Sequence, residues 1–327
     1  MKAVRFHATG GPDALVYEDV PDAVAGPGEI LVKVEAVGLN FADVMRRRGD
    51  DYPEPSPTPF TLGAEVAGTV AAVGEGVTGF EVGTKVFATP GQGGYAQYVS
   101  VPATIVIPLP EGLSPVQATA LVAHGLTAAF ALRKAARLAE GESVLVEGAA
   151  GGLGAFTIQL AKLYGAGKVI AAASTQEKRT FAETLGADAS VDYTAADWAE
   201  RVRAVTGGRG ADIVMETAGG RTTGQALDAM APFGRMVFIG QASGEEAAIP
   251  ASRLMVPNHT VTGFYIGAYL ADPALVMATL TEIIGFVLSD KLTLHVGTVL
   301  PLSQAAEAHR LLEGRRTTGK VVLEPWS

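Results

Sequence analysis

The chain contains no cysteine in 327 residues. That absence excludes disulfides, a thiolate nucleophile, and any cysteine-ligated zinc or iron–sulfur centre. Histidine is also scarce: there are five, without metal-ligand spacing, and His124 and His259 read as packing or turn residues. Positive charge is in deficit, with 25 Lys and Arg against 34 Asp and Glu and a net charge of −9. Nucleic acid is therefore not expected as a main partner, because phosphate contacts need a basic face. The one dense basic run, "MRRRG" (Met45 to Gly49), reads as a solvated turn. No apolar run reaches the roughly 18 residues of a membrane span. The most apolar stretch, Ala118 to Leu132, is interrupted by His124 and followed by Arg133, so it reads as a buried helix, and no membrane partner is expected. The opening "MKAVRFHATGG" reads as a strand and turn, with no signal-peptide core or cleavage site, which leaves a cytoplasmic location as the expectation.

What the chain does have is 48% hydrophobic residues and length for about two domains. Its 40 glycines are scattered, so they mark many turns and no single low-complexity linker. In "EILVKVEAVG", Val32, Val34 and Ala36 alternate with Leu31, Lys33 and Glu35, the period of a half-buried strand. "EVAGTVAAVG", "TKVFATP" and "GGYAQYVSV" follow, each bounded by Gly or Pro, and predict a compact β-rich domain. From about Ser114 the pattern changes. Short apolar strands ("SVLVEG", "KVIAAAS", "ASVDY", "ADIVME", "RMVFIG") alternate with helix-length segments such as Leu153 to Tyr164. This alternation predicts an α/β domain with a doubly wound parallel sheet covered by helices on both faces. After about Asn258 the text is mixed again and ends in the strand-like "GKVVLEP", so the tail is expected to return to the first domain.

"VLVEGAAGGLGAF" (Val144 to Phe156) carries the clearest chemistry. It predicts a strand, a glycine turn and a helix, with Ala149, Gly151 and Gly154 at the three positions of a dinucleotide fingerprint. The second position lets the backbone approach a pyrophosphate, and the third lets helix pack on strand. Gly152 and Leu153 lie in the same turn, where the helix start offers N–H groups and a favourable dipole. An NAD site places an acid about 20 residues further on, against the ribose 2′-OH. Here that strand ends in Ala172, Ala173 and Ser174. Without the carboxylate a 2′-phosphate meets no repulsion, so NADPH is expected over NADH. Ser174, Lys178, Arg179 and Tyr193 are the groups placed to hold that phosphate; the plainer reading of the two cations is an exposed helix start.

"GEILVKVEAVGLNFADVMRRRG", "LGAEVAGTVAAVGEGVTGFEVGTKV", "GGYAQYVSVP", "GLTAAFAL", "GAAGGLGAFTIQLAKLYGA", "LGADASVDY" and "EGRRTTGKVVLEP" together resemble the medium-chain dehydrogenase/reductase superfamily. Within it they are most similar to the zinc-free quinone oxidoreductases related to ζ-crystallin. The resemblance covers nearly the whole chain. It implies a GroES-like catalytic domain over residues 1–122 and 262–327, an inserted Rossmann domain over 123–261, a cleft between them, and a homodimer. Where the alcohol dehydrogenases of this superfamily place a zinc-ligating Cys, this sequence has Asn40, and where they read Gly-His-Glu it reads Gly63-Ala64-Glu65. Without a Lewis acid an alkoxide is not readily stabilised, so the expected hydride acceptor is already electrophilic: a quinone, or alternatively an enal, enone or enoyl thioester. A third reading is an NADPH-binding protein with a structural or interaction role.

Few residues of the β-rich part can act as acid or base. Asn40 can donate to a substrate oxygen or to the nicotinamide ribose, and Tyr52 can line the pocket or donate a proton. Asp43 reads as structural, tying down the helix that follows. By resemblance Thr127 lies near the nicotinamide, with a helix-packing role as the alternative. Gly240 and Gln241 in "FIGQASG", with Phe264 and Tyr265, border the nicotinamide on the same basis.

Overall fold

A computed structural model describes all 327 residues. The chain folds into two units, the first made of Met1–Ala123 and His295–Ser327, the second of His124–Leu294.

The first unit holds β1 (Lys2–Phe6), β2 (Leu15–Asp19), β3 (Glu29–Leu39), β4 (Phe60–Thr61), β5 (Glu65–Val73), β6 (Lys85–Ala88), β7 (Tyr98–Pro102) and β8 (Val106–Pro108). The second holds β9 (Ser143–Val146), β10 (Lys168–Ala172), β11 (Ala189–Val191), β12 (Ala211–Glu216), β13 (Met230–Phe238) and β14 (Thr260–Gly263). The tail brings β15 (Val296–Pro301) and β16 (Lys320–Glu324) back to the first unit.

In the first unit, β2, β1 and β4 form a small sheet, and β15, β16, β3, β5, β6 and β8 form a larger one, with β7 also paired to β3. The alternation expected of β3 is present at its start, where Ile30, Val32, Val34 and Ala36 are fully buried while Lys33 is exposed. The strand then runs into the interior, and Val37 and Leu39 are buried as well.

The second unit has six strands in the order β11-β10-β9-β12-β13-β14, all parallel. Strands covered on both faces are mostly apolar, and all four residues of β9 are buried, as are all six of β12, with Ser143, Asp212 and Glu216 the buried polar residues among them. Counted within this unit the order is 3-2-1-4-5-6, the doubly wound arrangement whose switch point lies at the carboxyl end of β9.

Two expectations need correction. The chain re-enters the first unit at His295 and not at residue 262, because β14 pairs with β13 and the helix Pro273–Leu288 buries Thr279, Leu280 and Ile283 in the second unit. "MRRRG" is not a solvated turn. It closes the helix Phe41–Arg48, whose Arg46 and Arg47 are buried, and Gly49 takes the left-handed conformation that ends it. Arg47 donates to Glu313 at 2.5 Å, a tail residue that supplies the counter-charge. The apolar helical run Pro115–Ala135 has the length and composition to cross a membrane, but 72% of it is buried inside the protein. It is interrupted by π-helical turns at Leu121–Leu126 and Ala131–Ala135.

Candidate functional site

In the second unit the predicted residues gather at one edge of the sheet. Because the strands are parallel, the segments that follow them emerge on the same side: Gly148 to Gly154 after β9, Ser174 after β10, Tyr193 after β11, Gly240 and Gln241 after β13, and Phe264 and Tyr265 after β14. This carboxyl edge is where open α/β sheets bind ligands.

The turn after β9 is built around three glycines with different neighbours. Gly151 caps the helix Gly152–Leu163 in an extended conformation, and its N–H donates to Gly148. A side chain there would meet only the Gly148 carbonyl, at 3.2 Å, so the approach to the helix start is open. At Gly154 a Cβ would lie 2.3 Å from the Gly148 oxygen and 2.7 Å from Ala149 Cα, so helix and strand touch backbone to backbone. At Gly152 it would strike the His124 ring at 2.1 Å. His124, read from sequence as packing, lies directly against the helix start. Ala155 makes the bond back to Gly151, which leaves the N–H groups of Gly152, Leu153 and Gly154 outside the helix's own ladder. These donors, with the helix dipole, fit a pyrophosphate.

At the end of β10, Ala172 and Ala173 are buried and Ser174 is half-buried, with no acid among them. Thr175 caps the next helix by accepting the Lys178 N–H, which sets Lys178 in its first turn. Arg179 is committed elsewhere: it donates to the Ala173 carbonyl at 3.2 Å and pairs with Asp192 at 3.2 Å. Asp192, an acid not singled out from sequence, thus comes to the same end of the sheet already neutralised.

Beneath this edge lie two acids that sequence reasoning missed. Glu147 follows β9 and Glu216 ends the neighbouring β12, and both are buried. Glu216 accepts from Gly219 N–H at 2.7 Å and Thr223 at 3.0 Å. Burial, reinforced by the charge of Glu216, pushes the Glu147 carboxyl well above the usual carboxylate range. Glu147 accepts the Thr217 N–H at 3.4 Å, so the two acids together pin the turn after β12. That turn is tied in its own right to the Gly240–Gln241 loop, through Ala242 N–H to Thr217 and Ser243 N–H to Ala218. The signal for them in sequence was an acid directly after a short apolar run, Val144-Leu145-Val146 before Glu147 and Ile213-Val214-Met215 before Glu216.

Phe264 stacks on Tyr269 at 5.2 Å, and Tyr269 stacks on Phe130 at 5.2 Å, so the segment after β14 is braced by a three-ring stack. Thr127 is buried within the run Pro115–Ala135.

The first unit brings Asn40 together with Glu65, Asp43 and Lys320. Asp43 accepts the backbone N–H of Asn40 at 2.8 Å and that of Gly63 at 3.2 Å, so it ties down the helix start as expected. Burial raises its carboxyl to about 6. Lys320 Nζ donates to Asn40 Oδ1 at 2.8 Å and to Glu65 Oε2 at 2.9 Å. Asn40 Nδ2 donates to Glu65 Oε2 at 3.2 Å, and Glu65 Oε1 accepts the Ala123 N–H at 2.6 Å. Tyr52 lies on the loop after the helix Phe41–Arg48. Arg46 fixes that loop by donating to Ser56 and to the carbonyls of Pro55 and Gly91, with its guanidinium 5.3 Å from the Tyr52 ring. Burial raises the Tyr52 phenol above its ordinary value, so it is a weaker acid than a free tyrosine.

Comparison with known proteins agrees with this division. Residues 26–111 match the alcohol dehydrogenase GroES-like domain and residues 152–282 the zinc-binding dehydrogenase domain. A quinone oxidoreductase of Pseudomonas aeruginosa is 37% identical over 326 residues, covering 99% of both chains. A 2-haloacrylate reductase of a Burkholderia species is 35% identical over 339 residues, covering 99% of this chain and 98% of its own. The crystal structure of Escherichia coli quinone oxidoreductase complexed with NADPH superposes with a TM-score of 0.93 at 32% identity, over 99% of this chain and 100% of the other.

Proposed function

The chain belongs to the quinone oxidoreductases of the medium-chain dehydrogenase/reductase superfamily, and we propose that it is an NADPH-dependent oxidoreductase that transfers hydride to a quinone without zinc. The observation that carries the cofactor assignment is the carboxyl edge of the parallel sheet. A glycine turn there frees helix N–H groups for a pyrophosphate, and no acid at the end of β10 repels a 2′-phosphate. Ala149, Gly151, Gly152, Leu153 and Gly154 hold the pyrophosphate, Ser174, Lys178 and Tyr193 the 2′-phosphate, and Thr127, Gly240, Gln241, Phe264 and Tyr265 the nicotinamide end.

A zinc ion does not fit the residues around Asn40. The amide oxygen and the Glu65 carboxylate that face this point are engaged by the Lys320 ammonium, and nowhere do three His, Asp or Glu side chains converge. A second positive centre would be repelled there.

Bound NADPH supplies the hydride. The protein's part is orientation and exclusion of water, since a quinone gains aromaticity on reduction and needs little acid–base help. In the first unit Asn40 offers an amide N–H to the acceptor oxygen, and the Tyr52 hydroxyl is the side-chain proton source beside solvent. The likeness to a 2-haloacrylate reductase favours one second reading, reduction of an α,β-unsaturated carboxylate or carbonyl. On either reading we place the enzyme in the cytoplasm as a homodimer joined through edge strands of the six-stranded sheet, whose two edges are β11 and β14.

The test is loss of NADPH absorbance with 1,4-benzoquinone, 9,10-phenanthrenequinone, 2-chloroacrylate and an enal, repeated with NADH. Quinone turnover with NADPH preferred is the expected result. Turnover of only the unsaturated acid or aldehyde would select the second reading.

A further inference from the structure

Lys320 is fully buried, and its position follows from strand register. β16 runs antiparallel to β3 with Val321 opposite Leu39 and Val322 opposite Gly38, so Lys320 comes level with Asn40. Its stem passes over Gly38, where a Cβ would lie 2.6 Å from Lys320 Cε and 2.9 Å from Nζ, so only glycine leaves room for it. The ammonium then meets the oxygen of the Asn40 amide at 2.8 Å. A flipped amide would set NH2 against the ammonium, donor against donor, so Asn40 has a single orientation. Of its two N–H bonds, one goes to Glu65 at 3.2 Å. The other has only the Gly38 carbonyl at 3.5 Å, which is too long for a good hydrogen bond. Glu65 balances the charge of Lys320 at 2.9 Å.

We propose that Lys320 is a positioning residue for the reaction: by holding the Asn40 amide oxygen it turns an amide N–H toward the acceptor oxygen. This rests on the proposed reduction of a quinone, in which Asn40 is the donor. The cluster amounts to a neutral ion pair that sets a dipole in place, so the donor has no orientation to find as negative charge develops on the acceptor.

Lys320→Met alone strands Glu65 buried and unpaired and can prevent folding. The double variant Lys320→Met/Glu65→Gln removes both charges and is the main test, with Lys320→Arg as the conservative rescue. The first readout is the side-chain amide NMR signal of Asn40 in the cofactor-free protein, identified by its loss in Asn40→Asp. We expect one well-dispersed pair of proton signals in the wild type, collapsing toward the positions of a mobile amide in the double variant and restored at least in part by Lys320→Arg. The second readout is kinetic: kcat with quinone should fall on the order of tenfold to a hundredfold while the KM for NADPH stays within about twofold. An unchanged amide signal, or an unchanged kcat despite a shifted one, overturns the proposal. A wild-type protein that reduces no quinone overturns the proposed function, and the amide signal then still decides whether Lys320 sets the orientation of Asn40.

Discussion

Asp43 shows how one buried side chain ties local structure to pH. Its two oxygens take the N–H groups of Asn40 and Gly63, which fixes the strand-to-helix turn that presents Asn40. Burial nevertheless disfavours its charge and raises it from 3.8 to about 6. The folded state therefore holds this proton more tightly than the unfolded state. Its contribution to stability is present below about pH 4 and is lost as pH rises through about 6. A rise of that size corresponds to about 3 kcal/mol. Asp43→Asn removes the titration along with one acceptor, so the variant should be clearly less stable than wild type at pH 4.5. That gap should narrow by about 2 kcal/mol at pH 7.5 in urea unfolding. A gap independent of pH would show that Asp43 stays ionised throughout. His309 illustrates the opposite case: burial lowers its imidazole to about 3, and it stays neutral beside Tyr95, whose hydroxyl lies 3.1 Å away.

At the scale of elements, the strand–turn–helix after β9 makes two separable demands on its glycines. Gly154→Ala drives a methyl into the backbone of Gly148 and Ala149, so helix and strand must part. It should lower the melting temperature by several degrees even without cofactor, as overpacking typically costs about 1–3 kcal/mol. Gly151→Ala meets one carbonyl at 3.2 Å, so folding should be nearly unaffected while the methyl would stand in the path proposed for the pyrophosphate. NADPH affinity measured by fluorescence quenching should fall at least tenfold, and equal effects of the two variants on stability would refute the distinction. This turn and the parallel sheet were legible in sequence because their determinants are local: apolar runs for doubly covered strands, glycine where backbones meet, and helices between. What stayed hidden depends on partners far away in the chain. Lys320 meets residues 280 and 255 positions earlier, and Glu147 meets Glu216 across two strands. "MRRRG" looked solvated because charge runs usually are, and nothing local announced Glu313. The return point at His295 was missed because β14 and the helix Pro273–Leu288 lack the regular strand–helix alternation that marked the earlier part of that unit.

For the whole molecule, the segments proposed to hold the cofactor are, besides Thr127, five separate segments that follow β9, β10, β11, β13 and β14 and share the carboxyl edge of one sheet. A ligand gripping all of them binds the native second unit and not the unfolded chain, so it raises stability by mass action. At a hundredfold excess over Kd the gain is about 2.7 kcal/mol, which for a unit of this size raises its melting temperature by about 5–10 °C. NADH, lacking the 2′-phosphate, should give a smaller shift at the same concentration. The difference between the two cofactors isolates the contribution of the region after β10, where the pairing of Arg179 with Asp192 leaves Lys178 as the cation assigned to the phosphate. A charge-assisted hydrogen bond contributes about 1.5–3 kcal/mol, so Lys178→Glu should weaken NADPH by at least about tenfold and bring its thermal shift down to that of NADH. If the variant loses both cofactors equally, Lys178 serves the helix or the fold and the phosphate is held elsewhere. If it loses neither, the preference for NADPH stems from the missing acid after Ala173 alone, and restoring a carboxylate with Ser174→Asp should then reverse it.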